Sequence, residues 1–396
     1  MEVKQNYLIK QALEIIRGYA FNEPFYQYLK GIFRVQKQMG SRDRRNIRAL
    51  SYAWFRMGTA GVTMNEDERM LTGLFLAYDK VDPFAERMFR DHGIYKPELL
   101  TLPIAEKWKM VTNSHEDISL SDLFPLQDSL MEDVKNDDFL LSHFTRPLVW
   151  LRIRRDKKEE VLAYLRAKEI EFGTTDKSEY AISVEADEPI HETEIFEKGW
   201  IEIQDLSSQL TGNYYQPNEG EYWYDACAAS GGKSLLLMDM GVRLDLTVSD
   251  IRSSVLENLK TRFERNKIYK YSMLVADLAN GLPEQLIPES FDAIILDVPC
   301  SGSGTWGRNP ENRLNFDKAK LRSYTALQEK ILLNVLPLLN EGGRIIYSTC
   351  SVFKAENIGV LKVLAKHSAF KVTMSELLTG YGHKADTLFV AEITRV

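Results

Sequence analysis

Over the first 143 residues, apolar side chains return every three or four positions, the spacing of one face of a helix. Leu8, Ala12, Ile15 and Ile16 recur in this way between Tyr7 and Tyr19. A second stripe, Ile47, Leu50, Ala53 and Trp54, follows Ser41, which is placed to cap the helix that carries it. Further helices are expected over 66–78 and 103–111, and the acidic, less periodic stretch 112–138 reads as a connection or cap on the bundle. Residues 1–143 therefore read as an all-helical domain.

The period changes at Leu148. Strand-like segments at 148–153, 181–184 and 200–204, with a helix over 157–168, describe a small α+β module spanning 144–210. From there to the C-terminus, strands alternate with helices. Strands are expected over 222–224, 245–249, 272–276, 292–296, 344–348, 369–374 and 387–393, with helices such as 318–339 between them. That alternation predicts an α/β fold for 211–396, a doubly wound sheet whose last two strands form an antiparallel hairpin at one edge. No internal repeat or low-complexity tract interrupts it.

At 396 residues, 44% hydrophobic and 27% charged, the chain has room for two or three domains with substantial cores. No apolar run is long enough to span a bilayer, and the start Met1-Glu-Val-Lys-Gln has no signal-peptide character, so a cytoplasmic protein without a membrane partner is expected. The chain is expected to act as a monomer. Three cysteines without framework spacing argue against structural disulfides, and no Cys/His cluster offers a metal site. The net charge of −7 is not that of a nucleic-acid binder, yet it averages over patches. Lys30, Arg34, Lys37, Arg42, Arg44, Arg45 and Arg48 face only Asp43, a local charge of +6. Two more basic clusters, Arg152 to Lys158 and Lys260 to Lys270, make a phosphate-contacting surface the expectation over three solvated helix faces.

The turn after the 222–224 strand, Ala226-Cys-Ala-Ala-Ser-Gly-Gly-Lys233, is small and Gly-rich, which lets backbone approach a ligand. Asp250 and Asp277 end the next two strands, where carboxylates can reach a ribose and a base edge. An adenosine-bearing cofactor fits this pattern. The turn is not Gly-x-Gly-x-x-Gly, so a nicotinamide dinucleotide is disfavoured. The rival is a P-loop nucleotide hydrolase, in which Lys233 would grip phosphates and Ser234 a magnesium ion. That motif needs glycine where Cys227 stands, and it leaves Asp250 and the later cysteines without a role.

Two of the three thiols sit just past strand ends, in Asp297-Val-Pro-Cys300-Ser-Gly-Ser-Gly304 and Tyr347-Ser-Thr-Cys350-Ser351. A free cysteine is commonly a buried small hydrophobe. Two beside an aspartate and a cofactor loop suit another role. A thiolate adding to C6 of a pyrimidine makes C5 nucleophilic enough to accept a methyl group. Either Cys300 or Cys350 could be that nucleophile, with Asp297 addressing N3 and the exocyclic amine.

These segments together resemble the motif series of the RNA cytosine-C5 methyltransferases. The N-terminal region, with Ser41-Arg-Asp-Arg-Arg and Leu50-Ser-Tyr-Ala-Trp-Phe-Arg, looks like the NusB-like domain fused to the bacterial Sun-type members that act on small-subunit ribosomal RNA. The resemblance implies a class I (Rossmann-like) catalytic sheet, an RRM-like middle module and RNA as partner. It implies S-adenosylmethionine held by Cys227, Ala228, Ala229, Ser230, Gly231, Gly232, Lys233, Asp250, Asp277 and Asp297. It implies Cys350 as nucleophile, Cys300 as the residue that helps release product, and Asp297 with Lys233 beside the reacting ring. The DNA cytosine methyltransferases use a Pro-Cys nucleophile, which without this resemblance would favour Cys300, so the assignment of Cys350 rests on the family and not on spacing. Two departures stand out. Ser230 replaces a usual proline, which is expected to loosen the cofactor loop, and residues 305–313 differ from the usual Arg-Arg-x-Pro-Asp segment. A non-catalytic RNA-binding assembly factor is the remaining alternative.

Overall fold

The computed structural model describes residues 2–396, with side chains from Tyr7 onward, so the opening residues read above for a leader sequence lie outside the side chains described. Among the described residues no helix is long and apolar enough to cross a membrane. Among the described residues seven α-helices come first: α1 (Glu2–Arg17), α2 (Phe25–Val35), α3 (Ser41–Arg56), α4 (Glu66–Ala77), α5 (Pro83–His92), α6 (Ile104–Ser114) and α7 (Asp137–Ser142). Short 3₁₀ turns at Leu120–Asp122, Gln127–Ser129 and Glu132–Val134 punctuate the 112–138 stretch. The residues up to Arg146 form one compact unit together with Thr305–Lys318.

In this unit α4 is the central helix, with Met70, Leu71, Leu74 and Phe75 fully buried. Gly73 lets α3 cross it closely, because a Cβ there would lie 2.3 Å from the Ala53 carbonyl oxygen. The α3 stripe buries Ile47, Leu50 and Ala53 as expected, while Trp54 is half-buried beneath the Arg69 guanidinium. Ser41 does not cap α3. Gly40 holds that position, and Ser41 is the first helical residue with no side-chain bond to the helix N-terminus. True caps occur at Asn65, which accepts from the Glu68 amide at 2.9 Å, and at Asp82 before Pro83.

The segment Thr305–Lys318, whose residues 305–313 depart from the family pattern, packs in the helical unit. Trp306 is fully buried against Phe124. Arg313 donates to the carbonyls of Leu123 (2.6 Å), Phe55 (3.2 Å) and Arg56 (3.0 Å). Two of these are carbonyls at the end of α3 that the helix itself cannot satisfy. Arg56 in turn donates to Gly307 at 3.0 Å, and Glu311 accepts from the Phe25 amide at 3.3 Å. Burial, aided by Arg56, lowers the Arg313 pKa to about 9.

The second compact unit holds Pro147–Gly304 and Ala319–Val396. Its first part is a four-stranded antiparallel sheet of β1 (Val149–Ile153), β2 (Gly173–Thr174), β3 (Ala181–Val184) and β4 (Ile201–Ile203), in the order β2-β3-β1-β4. Helices α8 (Lys158–Ala167), α9 (Glu194–Glu197) and α10 (Leu206–Leu210) accompany it. Leu151, Ile153, Val161, Leu165, Ile182 and Ile201 form its core.

The main sheet comprises β5 (Tyr222–Asp225), β6 (Asp245–Asp250), β7 (Ser272–Val275), β8 (Phe291–Asp297), β9 (Leu339–Thr349), β10 (Phe370–Leu378) and β11 (Leu388–Arg395). The order is β10-β11-β9-β8-β5-β6-β7, parallel from β7 to β9 and closed by the antiparallel hairpin β10–β11. Helices α11 (Gly232–Met238), α12 (Ser253–Arg265) and α13 (Lys318–Val335) provide crossovers. Trp223, Leu237, Val248, Leu259, Phe263 and Ile295 are among the core residues beneath the sheet.

Several members of two of the three basic clusters form ion pairs within this unit. Buried Arg152 pairs with Asp239, Arg154 with Asp156 at 2.6 Å, Lys157 with Glu160 at 3.0 Å and Lys158 with Glu179 at 2.7 Å. Arg262 and Arg265 both bind Glu202 of β4, at 2.8 and 2.6 Å, fastening the small sheet to α12. Burial works to raise the Glu202 carboxyl, but the two guanidiniums outweigh it and lower it. The α2–α3 cluster keeps its heads in water, with Lys30, Arg34, Lys37, Arg42, Arg45 and Arg48 exposed, and Arg155, Lys260, Lys267 and Lys270 of the other two clusters are exposed as well.

Candidate active site

The strand order reverses between β5 and β8, and the crevice beyond the C-terminal ends of their neighbours is where such sheets bind ligands. Asp225 ends β5 and is 1% exposed. One carboxylate oxygen accepts from the Ser234 hydroxyl at 2.6 Å, and the other is buried without a partner. Burial pushes its pKa up to about 7, with the Asp297 charge adding to the effect.

The Gly-rich turn is fixed by its own amides. Ala228 donates to the Ser249 carbonyl at 2.8 Å, and Ala229, at φ +47°, donates to the Asp250 carboxylate at 3.1 Å. Gly231 sits at φ +81° over α12, where a Cβ would lie 2.8 Å from the Phe263 ring, so both conformation and space demand glycine. Ser230 does not loosen the turn as expected. Arg262 donates to its carbonyl at 3.1 Å and to its hydroxyl at 3.0 Å. Asp250 also accepts from the Arg252 amide at 2.9 Å and its side chain at 3.1 Å. Burial and three nearby carboxylates, Asp225 first, raise the Cys227 thiol far above its ordinary range. Asp277 is exposed and closes a turn, accepting from the Ala279 amide at 3.1 Å and Asn280 at 2.7 Å.

Across the crevice, Asp297 at the end of β8 accepts from Lys233 Nζ at 2.6 Å and from the Ser348 hydroxyl at 2.8 Å. Burial alone would lower the Lys233 pKa, but Asp297 outweighs it and raises it. Cys300 lies beside Cys350, and that neighbour, with burial, raises the Cys350 thiol well above the ordinary thiol range. Their loops are laced together, since Gly304 donates to the Cys350 carbonyl at 2.8 Å and accepts from the Thr387 amide at 3.0 Å. The structure thus brings Cys300, Cys350, Asp297 and Lys233 together and sets the turn and Asp250 on the neighbouring strand ends. Sequence reasoning gave no role to Asp225 and Ser348. The first was signalled by its place at a strand end before the Gly-rich turn, while nothing in the sequence marked the second.

A Gly-rich turn at the reversal of strand order and an antiparallel hairpin on the far edge make this the sheet of a class I S-adenosylmethionine-dependent methyltransferase. Residues 213–391 match the family model described as 16S rRNA methyltransferase RsmB/F. Ribosomal RNA small subunit methyltransferase B of Vibrio vulnificus (strain YJ016) is 29% identical over 261 residues, 65% of this chain and 59% of that protein. The protein of the same name from Enterobacter sp. (strain 638) is 30% identical over 226 residues, 57% of this chain and 52% of that protein. The matched region thus spans little more than half the length of either relative. Among solved structures, PH0851 shares the fold over 98% of both chains, with a TM-score of 0.72 and 21% identity. NSun6 from Pyrococcus horikoshii, solved with SFG, covers 63% of this chain and 91% of its own, with a TM-score of 0.56 and 16% identity.

Proposed function

We propose that the protein methylates C5 of cytosine in RNA, with small-subunit ribosomal RNA as substrate, S-adenosylmethionine as methyl donor and a covalent cysteine–C6 adduct on the way. The observation that carries this reading is the pair of thiols at adjacent strand ends beside the Lys233–Asp297 pair. The donor set fits the cofactor. The partnerless buried oxygen of Asp225 suits the ammonium of a methionine moiety, residues 227–233 offer backbone to its carboxylate, and Asp250 offers acceptors to ribose hydroxyls. Asp277, engaged in its turn, would meet the base edge through the loop it closes. When bound, S-adenosylmethionine supplies the electrophilic methyl group.

Everything else falls to the chain. As the sulfur of Cys350, held protonated in the resting site, bonds to C6 of the ring, its proton passes through the Asp297 carboxylate to N3, and the electron pair displaced toward C5 makes that carbon the nucleophile. Asp297, oriented by Lys233 and Ser348, accepts from N3–H and the exocyclic amine as charge develops. After transfer the C5 proton passes to water, its bonding pair re-forms the C5=C6 bond and the C6–S bond breaks, the departing Cys350 sulfur recovering its proton from N3, with Cys300 adjoining the sulfur as the residue that assists. The exposed α2–α3 cluster contributes sequence-independent attraction to phosphates.

The P-loop alternative finds its two residues otherwise engaged, Ser234 on Asp225 and Lys233 on Asp297, each at 2.6 Å. Incubation with a tritiated methyl donor and ribosomal RNA from cells lacking the protein, followed by nucleoside analysis, tests the reading. Labelled 5-methylcytidine is expected. RNA binding without label would leave a non-catalytic assembly factor, and label on another nucleoside would overturn the C5 assignment.

A further inference from the structure

Beneath the two thiols lies a buried polar network in which one carboxyl group serves both cysteine loops. Glu356 is fully buried in a short irregular turn, Ala355–Gly359, that follows β9. Its Oε1 accepts from the Ser301 amide at 2.8 Å and from Gln328 Nε2 at 3.0 Å. Its Oε2 accepts from the Ser301 hydroxyl at 2.6 Å and from the Ser351 hydroxyl. Ser301 is the residue after Cys300, and Ser351 is the residue after Cys350. Gln328, from α13, also donates to the carbonyl of Pro299, the residue before Cys300, at 2.9 Å. Ser303 ties the same loops a second time, bonded to the Ser351 hydroxyl at 3.2 Å and accepting from the Val352 amide at 2.9 Å. Tyr347 in β9 donates to the Glu356 carbonyl at 2.8 Å, so the turn carrying the carboxyl is itself fixed to the sheet.

We propose that Glu356 is the positioning residue that sets the separation of the two thiols, an inference that rests on the thiol pair of the proposed reaction. Glu356 touches no reacting atom. It acts through Ser301 and Ser351, and a carboxyl is suited to this because both of its oxygens can accept at once. Glutamine in its place would turn one end into a donor. If that end faced the Ser301 and Gln328 N–H groups, which cannot accept, two donors would clash. If it faced the hydroxyls, both would have to reverse. The cofactor half of the crevice makes no bond to Glu356, so cofactor affinity and thiol placement should separate.

Glu356→Gln and Ser351→Ala are the variants, and the primary readout does not depend on methyl transfer. Diamide oxidises two adjoining thiols to a disulfide, each sulfur losing its hydrogen while diamide is reduced to the hydrazine. Peptide mass spectrometry then follows the Cys300–Cys350 bridge with time in the full-length protein. Because disulfide closure needs a narrow range of Cβ positions, the bridge should form readily in the wild type and roughly tenfold or more slowly in Glu356→Gln. Ser351→Ala, which gives up one bond of the four, should be intermediate and keeps the test open if Glu356→Gln fails to fold. With RNA substrate, kcat should fall on the order of 100-fold while the affinity for S-adenosylmethionine stays at the wild-type value. Bridges that close at the wild-type rate in both variants, a wild type that never closes one, or cofactor affinity falling in step with kcat would each overturn the proposal. A wild-type protein that forms the bridge but methylates nothing would instead sink the proposed reaction and leave Glu356 in its role.

Discussion

On the cofactor half of the crevice the fixing is done largely by main chain: Ala228 and Ala229 amides reach Ser249 and Asp250, Gly231 takes a left-handed turn, and Arg262 pins the Ser230 carbonyl. On the thiol half it is done by side chains, with Ser301, Ser303, Ser351, Gln328 and Glu356 joined in one buried network and Lys233 and Ser348 aimed at Asp297. A half built from backbone tolerates side-chain change and should respond to substitution with graded shifts in affinity. A half built from buried side chains fixes atoms that must react, and substitutions there should abolish steps while binding persists.

The largest effect belongs to the thiols. Cys350→Ala should neither methylate nor form a covalent adduct with RNA, since the step that activates C5 is gone. Cys300→Ala should methylate once and then accumulate an adduct stable to denaturing electrophoresis. Adducts in Cys350→Ala with none in Cys300→Ala would exchange the two roles. Neither substitution should move S-adenosylmethionine affinity measured by calorimetry, and a change in both would break the division into halves.

Next comes Asp250→Ala, which removes a charge-assisted hydrogen bond to ribose and should weaken cofactor binding by about 1.5–3 kcal/mol in a folded protein. Unchanged affinity would remove Asp250 from the cofactor set.

A smaller effect follows from Asp225, whose pKa is raised to about 7. A raised acid favours the fold in its protonated form, so its contribution to stability is full below pH 4 and is lost as pH climbs through 7. An ammonium ligand needs the ionised form. Cofactor affinity should therefore rise about eightfold between pH 6 and pH 7.5, the change in ionised fraction for a group titrating near 7, and Asp225→Asn should flatten that rise. Identical pH profiles for the two proteins would place the ammonium elsewhere.

The smallest is Ser230→Ala. It deletes one of the two acceptors that residue 230 offers Arg262 and leaves the carbonyl, so about 1 kcal/mol of stability and a few-fold loss of cofactor affinity are expected by thermal melting and calorimetry. A larger loss would mean that the hydroxyl, more than the backbone, holds the turn.

The strands of the main sheet were legible because alternation and apolar runs are local signals, and the hairpin β10–β11 followed from a short connection between two of them. Only short β2 was missed. The thiol, aspartate and Gly-rich segments were legible as chemistry because each is contiguous. What escaped is what depends on distant partners. Ser41 had the composition of a cap, yet Gly40 took the position. The ion pairs of Arg152, Lys158 and Arg262 were not legible because their acids, Asp239, Glu179 and Glu202, lie elsewhere in the chain. Ser230 looked like a weakness because its partner, Arg262, is 32 positions away. Glu356 carried no signal, since neither serine that reaches it marks a carboxyl as its target.

The Thr305–Lys318 segment has a consequence for the order in which the chain can finish folding. Helices α1 to α7 leave a growing chain first, yet the socket around Trp306 and the bonds that Arg313 makes at the end of α3 wait until synthesis has passed both residues. By then most of the catalytic sheet's strands have been made, from β5 to β8. The helical unit therefore cannot complete itself as an independent N-terminal domain. A truncation that separates it from the residues after Gly304 leaves a fully buried tryptophan without its socket and an arginine without its acceptors, and both fragments would carry the damage.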